Sequence, residues 1–195
     1  MTSPAADPAA AAEDRLLMEQ VRAGDEVAFA ALMERWERPV KSVVARMVLN
    51  AAEAEELAQE AFVRLWQRRE DFRPGAEFRP WLLTIAVNLA RNRLRWWRLR
   101  PSVELGAWLE GGGDHGETTG GAGAMERAER VAEVQAAIAA LPVELREALV
   151  LFEFEELSQA EIATVLGTTP KAVESRVARA REKLRRALQK DHHSR

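Results

Sequence analysis

The sequence predicts an all-α protein of two small helical domains joined by a flexible, glycine-rich linker. Three observations carry that prediction. Ala, Leu, Glu and Arg dominate a chain that is 47% hydrophobic and 30% charged and has no Tyr. These are strong helix formers, and β-branched runs are few. Apolar residues recur at three- and four-residue spacing through most of the chain. Finally, eight of the eleven glycines fall in GAWLEGGGDHGETTGGAGAME, residues 106–126, which is aperiodic and reads as a linker. A length of 195 residues suits one large domain or two small ones. The glycine-rich segment decides for two, 14–103 and 125–190, with 104–124 between them and a disordered leader over 1–13.

The first domain reads as consecutive helices. Leu16, Leu17, Gln20 and Val21 begin a short one that Gly24 stops. Asp25 is placed to cap the next, with Phe29, Leu32, Met33 and Trp36 on its inner face. Pro39 is expected to interrupt it, and helix resumes from Val40 to Leu49. Asn50 caps a long helix reaching about Arg69, with Leu57, Ala61, Phe62 and Leu65 apolar. EDFRPGAEF is a turn-rich loop. Pro80 then sits in the first turn of a helix running to about Arg98. Leu82, Ile85, Leu89 and Trp96 form its inner stripe, with Trp81 beside it. The face of Trp97 stays open.

In the second domain, helix is expected over Met125–Ala140 and Val143–Phe154, with a break at Leu141-Pro142. Ser158 and Glu161 have capping-box spacing before a short helix whose apolar side is Ile162, Ala163 and Leu166. Gly167 permits a left-handed turn. Thr169-Pro170 is a cap followed by proline at the first helical position. Val173, Val177, Ala180, Leu184 and Leu188 form the inner stripe of the final helix.

Composition excludes several chemistries. Without Cys there are no disulfides, thiolate nucleophiles or Cys-based zinc sites. His115, His192 and His193 give no helical ligand pair, so no metal or other cofactor is expected. No nucleophile–base pair supports an enzyme. No stretch approaches the roughly 20 apolar residues that cross a bilayer. The start, MTSPAADPAAAAEDR, lacks the basic-then-apolar pattern of a signal peptide.

Charge is distributed unevenly. The net charge is −3, yet residues 78–103 hold six Arg and no acid. Residues 126–156 hold three Arg against eight Glu, and residues 157–195 hold nine Lys or Arg against four acids. Two separate basic segments in an otherwise acidic chain suggest nucleic-acid contact at two places.

Three segments can carry that contact or a partner. Residues 158–182 fit a helix-turn-helix, because caps, turn glycine and small crossing residue agree. Its second helix exposes Lys171, Ser175, Ala178, Arg179 and Glu182, with Arg176 beside them. Arg and Ser suit base edges and phosphates in a major groove; the plainer alternative is a helical hairpin with a solvated basic face. In NAAEAEELAQEAFVRLW, Glu53, Glu55, Glu56 and Glu60 cluster in the first half of a helix. The helix dipole alone accounts for acid there, and a partner surface is the other reading. In the helix 78–100, Asn88 interrupts an apolar run, and Arg91, Arg95 and Arg98 share a face near two indoles. Single-stranded DNA and a merely wet face both fit that pattern.

Taken together, these motifs resemble the extracytoplasmic-function class of sigma factors in the bacterial sigma-70 family. GDEVAFAALMERW resembles the opening of the sigma-2 domain, and AEELAQEAFVRLW its acidic polymerase-docking helix. DFRPGAEFRPWLLTIAVNLARNRL is similar to the promoter-melting loop and helix. The segment from LPVELREALV to VARAREKL is similar to a whole sigma-4 domain. The resemblance spans residues 14 to 190.

The resemblance implies roles for particular residues. Glu56, Gln59 and Glu60 fall on the helix that docks on the clamp helices of the largest subunit of core RNA polymerase; the enzyme's flap is a further partner. Asn88 falls on the reader of a base flipped from the −10 element. Phe72, Arg73, Gly75 and Glu77 lie in the loop that walls its pocket, with Phe72 suited to stacking and Arg91 and Arg95 to adjacent phosphates. Lys171, Ser175, Arg176, Ala178 and Arg179 fall where the family reads the −35 element. Promoter DNA, an anti-sigma factor and a bacterial cytoplasmic location, without membrane insertion, follow from the same likeness. Glu174 departs from the family's usual basic or polar residue; a carboxylate there can accept from cytosine N4. Asn92 stands where Asp is frequent. The rival reading is a self-standing helix-turn-helix regulator, and a weaker one is a helical scaffold with no DNA role.

Overall fold

Capping chemistry fixes several of the helix boundaries in the computed structural model, which describes residues 8–99 and 122–193. Helix α1 covers Pro8–Arg22 and α2 covers Glu26–Val48. The Asp25 carboxylate accepts from the Val27 and Ala28 amides at 2.8 and 3.0 Å, meeting two donors that have no partner within the first turn of α2. Gly24, at φ +93°, makes the reversal before it. Helix α3 covers Ala51–Gln67 and is capped by the Asn50 side chain on the Glu53 amide at 3.0 Å. A 3-10 turn, Arg69–Asp71, leads into the loop before α4, Phe78–Leu99. The second domain holds α5 (Ala122–Ala139), α6 (Val143–Glu153), α7 (Gln159–Leu166) and α8 (Pro170–His193). No strand occurs among the described residues.

Four sequence expectations need correction. Helix α1 starts at Pro8, so residues 8–13 of the expected leader are helical; proline is tolerated in a first turn because its missing N–H has no helical partner to lose. Pro39 does not interrupt α2. Trp36, Val40, Val43, Val44 and Met47 are all buried on that helix, and their packing offsets the roughly 3 kcal/mol an interior proline costs. Met33 is 40% exposed, and Ala28, at 3%, continues the inner face instead. The register of α4 is the fourth. Leu82, Ile85, Leu89 and Ala90 are buried, Trp97 packs against the core, and Trp96 is 43% exposed. A hundred degrees per residue carries the buried stripe from Ala86 and Ala90 to Leu94 and Trp97, leaving Trp96 outside it.

Trp36 anchors the first domain. It is 1% exposed, lies edge-on to Phe78 at 5.9 Å, and donates from Nε1 to the buried Asp14 carboxylate at 3.0 Å. Arg35 holds the other Asp14 oxygen at 2.7 Å. Burial pushes the Asp14 carboxyl above its ordinary range, against the hydrogen bond and charge of Arg35 and the hydrogen bond of Trp36. An acid raised in this way contributes stability that is fully present below its ordinary pKa and is lost as pH rises through the raised value. The wild-type chain is therefore expected to gain stability relative to Asp14→Asn as pH falls from 7 towards 4. Paired thermal melts across that range check this, and a difference moving the opposite way refutes it.

The two domains share one core. Residues from α2, α3 and α4 belong to the same buried cluster as Ala148, Val150, Leu151, Ile162, Val165, Val173 and Val177. Arg146 of α6, 5% exposed, donates to the Met47 carbonyl at the end of α2 at 2.6 Å and to Leu141 at 3.2 Å. A guanidinium from one domain thus caps a helix C-terminus in the other. The Arg46 guanidinium stacks over the Phe154 ring, 4.4 Å from its centroid.

Candidate nucleic-acid interface

The helix-turn-helix is assembled from local signals. The Ser158–Glu161 capping box forms in both directions, the Ser158 amide donating to Glu161 at 2.8 Å and the Glu161 amide to Ser158 Oγ at 3.2 Å. Gly167 ends α7 at φ +63°. Thr169 Oγ1 accepts from the Ala172 amide at 3.2 Å and opens α8 behind Pro170. Ile162, Val173, Val177 and Ala180 are buried at 0–4% exposure, which fixes the rotation of α8. Lys171, Ser175, Ala178 and Arg179 consequently face outward. Lys171 pairs with Glu174 at 2.9 Å along the helix, so the unusual acid neutralises a neighbouring cation at the surface. Arg179 Nε donates to the Ser175 carbonyl at 3.3 Å. Arg176 differs from its neighbours: it is half-buried and pairs with Glu147 of α6 at 3.5 Å.

The arginine-rich end of α4 divides by face. Asn88 is exposed and accepts from Arg91 Nη1 at 3.4 Å, and Arg95 is exposed on the same side. Arg91 does not face solvent alone. It grips both carboxylate oxygens of Glu147 at 2.7 and 2.6 Å. Arg93 turns the other way, forming an ion pair with Glu53 and lying 3.7 Å from Glu56.

In the loop before α4, Arg73, Gly75 and Glu77 are exposed, and Gly75 has φ +76°. Glu77 pairs with Arg15 at 3.2 Å. Phe72 contradicts its expected place on the pocket wall. It is 1% exposed and packs edge-on against Trp81 at 5.2 Å and Phe78 at 6.4 Å. Its role in this structure is to brace the loop from beneath.

On α3, Glu56 and Gln59 are exposed and Glu60 is half-buried, forming one continuous acidic face with Glu53. Glu60 is held by Arg64 at 2.6 Å, one helical turn on, and Gln59 donates to Glu55 at 3.3 Å. Between α3 and α4 runs an open groove of about 470 Å³ lined by Glu53, Leu57, Glu60, Leu89, Arg93 and Trp96 among others. Sequence reasoning missed Arg93 and Trp96 as parts of this face. The signal was their position one and two turns beyond Leu89, on the side of α4 that meets α3.

The fold and these surfaces define a helical DNA-binding protein of two modules, one carrying a helix-turn-helix and the other an acidic face and an arginine row. The sequence model for Sigma-70 region 2 matches residues 32–98, and that for Sigma-70, region 4 matches residues 132–184. The RNA polymerase sigma-H factor of Pseudomonas aeruginosa is 38% identical over 184 residues, covering 91% of this chain and 94% of that protein. The ECF RNA polymerase sigma-E factor of Escherichia coli K12 is 35% identical over 181 residues, covering 90% of this chain and 94% of that one. Among solved structures, CnrH in complex with the cytosolic domain of CnrY is 30% identical with a TM-score of 0.70, over 92% of this chain and 99% of that chain. The chain belongs to the sigma-70 family, as an extracytoplasmic-function sigma factor. It is a promoter-directing transcription initiation factor, and the reading as a self-standing regulator is not favoured.

Proposed function

We propose that this sigma factor docks on core RNA polymerase through Glu56, Gln59 and Glu60 and reads promoter DNA at two separated elements. Asn88 reads one base of the −10 element beside Arg73, Gly75 and Glu77, with Arg91 and Arg95 on adjacent phosphates. Lys171, Ser175, Arg176, Ala178 and Arg179 read the −35 element. The observation that carries this reading is the rotation of α8: burial of Val173, Val177 and Ala180 turns Lys171, Ser175, Ala178 and Arg179 outward together. The chain supplies no catalytic group of its own and works in the cytoplasm. No helix among the described residues is long and apolar enough to cross a membrane. An anti-sigma factor fits as a further partner, since the similar CnrH is solved in complex with the cytosolic domain of CnrY.

Run-off transcription with core polymerase on a randomised promoter library tests the proposal. The wild-type chain is expected to enrich two conserved elements. Asn88→Ala is expected to relax base choice at one position of the upstream edge of the melted region and to leave the other element intact. If core polymerase yields no chain-dependent transcript, or if Asn88→Ala leaves every base preference unchanged, the corresponding assignment fails.

A further inference from the structure

Leu57 of α3 and Leu89 of α4 are buried and form the floor of the groove between those helices, while Trp96, two turns beyond Leu89, stands at its lip and is 43% exposed. The spacing of residues sets this up. Glu53, Leu57, Glu60 and Arg64 follow one another at intervals of four, three and four on α3, and Leu89, Arg93 and Trp96 at four and three on α4. Each set therefore lies along one side of its helix. The hollow of about 470 Å³ has room for one or two large side chains, not for a whole helix.

Charge decides which kind of molecule fits. Glu53 and Glu60 line the groove, and Glu56 lies beside it. The two cations on its walls are engaged: Arg64 holds Glu60 at 2.6 Å, and Arg93 forms an ion pair with Glu53 and lies 3.7 Å from Glu56. These three carboxylates against two arginines leave negative charge in excess, and the Glu56 side chain is 70% exposed. A phosphate is repelled there and a cation attracted. Helix geometry also separates the groove from the arginine row. At 100° per residue Trp96 is turned about 100° from Arg95 and about 80° from Asn88, so the indole looks towards α3. An exposed indole over an apolar floor, rimmed by acid, has the composition of a protein interface with an aromatic anchor. Glu60 belongs both to this groove and to the docking face with Glu56 and Gln59, so the two surfaces are continuous.

We infer that the groove is part of the surface that receives core RNA polymerase, and that its occupant is a polymerase helix which lays a large apolar side chain against Leu57, Leu89 and Trp96 and sets a lysine or arginine, one turn along, beside Glu56. This rests on the docking assignment of Glu56, Gln59 and Glu60 and extends it from α3 to the end of α4. Trp96 is then an anchor for polymerase, while Asn88 and Arg95, on another side of the same helix, are left to DNA. Covering the indole and the apolar floor supplies the hydrophobic gain, and the acid beside them fixes the register of the incoming helix.

The absence of Cys makes the test direct. Asn92→Cys, at an exposed position lining the groove, gives the full chain a single attachment point for a benzophenone cross-linker. In the complex with core polymerase, irradiation is expected to join it to a helical segment of a polymerase subunit that carries an apolar and a basic side chain one turn apart. Cross-linking to promoter DNA alone, to a second copy of the chain alone, or to no polymerase subunit overturns the inference. Affinity is the second measurement, read by titrating the N-terminally labelled chain with core polymerase. Trp96→Ala is expected to weaken binding about tenfold, and Trp96→Phe to stay within about threefold of wild type because a ring remains at the lip. Glu56→Gln is expected to weaken binding about threefold and to flatten its salt dependence. Gln59→Ala reads the underlying assignment separately. If Gln59→Ala weakens core binding and Trp96→Ala does not, the groove is lost and the docking face on α3 stands. If Trp96→Ala weakens it and Gln59→Ala does not, the groove stands and the assignment of Gln59 fails. A changed −10 base preference in Trp96→Ala at unchanged core affinity would move the indole to the DNA side and overturn the inference.

Discussion

Trp36→Ala is expected to destabilise the chain by about 3–5 kcal/mol, the range for removing a large buried aromatic. For a chain of 195 residues that melts as one unit, this lowers the melting midpoint by roughly 6–20 °C. Two losses combine. The indole fills space that Phe78 approaches edge-on at 5.9 Å, and its Nε1 donates to a carboxylate that is itself 4% exposed. Alanine leaves a void and takes one of the donors from Asp14. Trp36→Phe separates the two, because it keeps most of the bulk and removes only the donor; about 1–3 kcal/mol is expected for it. Denaturant melts followed by helical circular dichroism measure both variants. A cost below about 1 kcal/mol for Trp36→Ala would mean that the surrounding helices collapse into the gap, contrary to the packing described. Because both domains share one buried cluster, the loss is expected to reach the helix-turn-helix as well, in a single transition.

Local chemistry was legible in the sequence, and non-local packing was not. Asp25, Asn50, Ser158 with Glu161, and Gly167 each act on backbone groups within three or four residues, so their spacing alone specifies what they do. All four behave as their spacing predicts. Pro39 was misread because its local cost is offset by a buried face formed with other helices. Met33 and Trp96 were misread because an apolar residue beside a stripe looks the same as one within it. Which of Trp96 and Trp97 turns inward depends on the rotation of α4, set by the burial of residues two turns earlier.

The candidate site divides along the same line. The outward row of α8 follows from its buried stripe and could be read from periodicity. Phe72 could not, since an aromatic in a turn-rich loop suits a base-stacking wall and a packed loop floor equally well; Trp81 and Phe78 decide for the floor. Glu147 was seen only as one of eight acids in a charged segment. Its partners lie 56 residues before it and 29 after it in the sequence, and nothing local distinguishes it from the exposed Glu144. Arg91 and Arg176 likewise looked like ordinary basic surface until a common acid appeared between them.

Arg179→Ala is the other large effect expected, and the contrast with Arg176 makes it informative. Arg179 is exposed, and its recorded bond is to the Ser175 carbonyl of its own helix. Removing it costs the fold little, within about 0.5 kcal/mol for a surface change of this kind. In the proposed −35 contact the same change is expected to weaken recognition by about 1–3 kcal/mol, which is roughly 5- to 150-fold. Two signatures separate its target. If Arg179 meets a base edge, discrimination at one −35 position relaxes; if it meets a phosphate, all sequences weaken alike and the salt slope drops by about 1. Titration of the polymerase complex against −35 duplexes at several salt concentrations reads both, and core binding is expected to be unchanged. Equal loss of core binding would remove Arg179 from the DNA interface. Arg176→Ala is expected to behave differently, because it deletes a DNA contact and one of the two holds on Glu147 together. The same substitution therefore weakens −35 recognition in the polymerase complex and takes a partner from a buried carboxylate, whereas Arg179→Ala leaves the buried ion pairs intact.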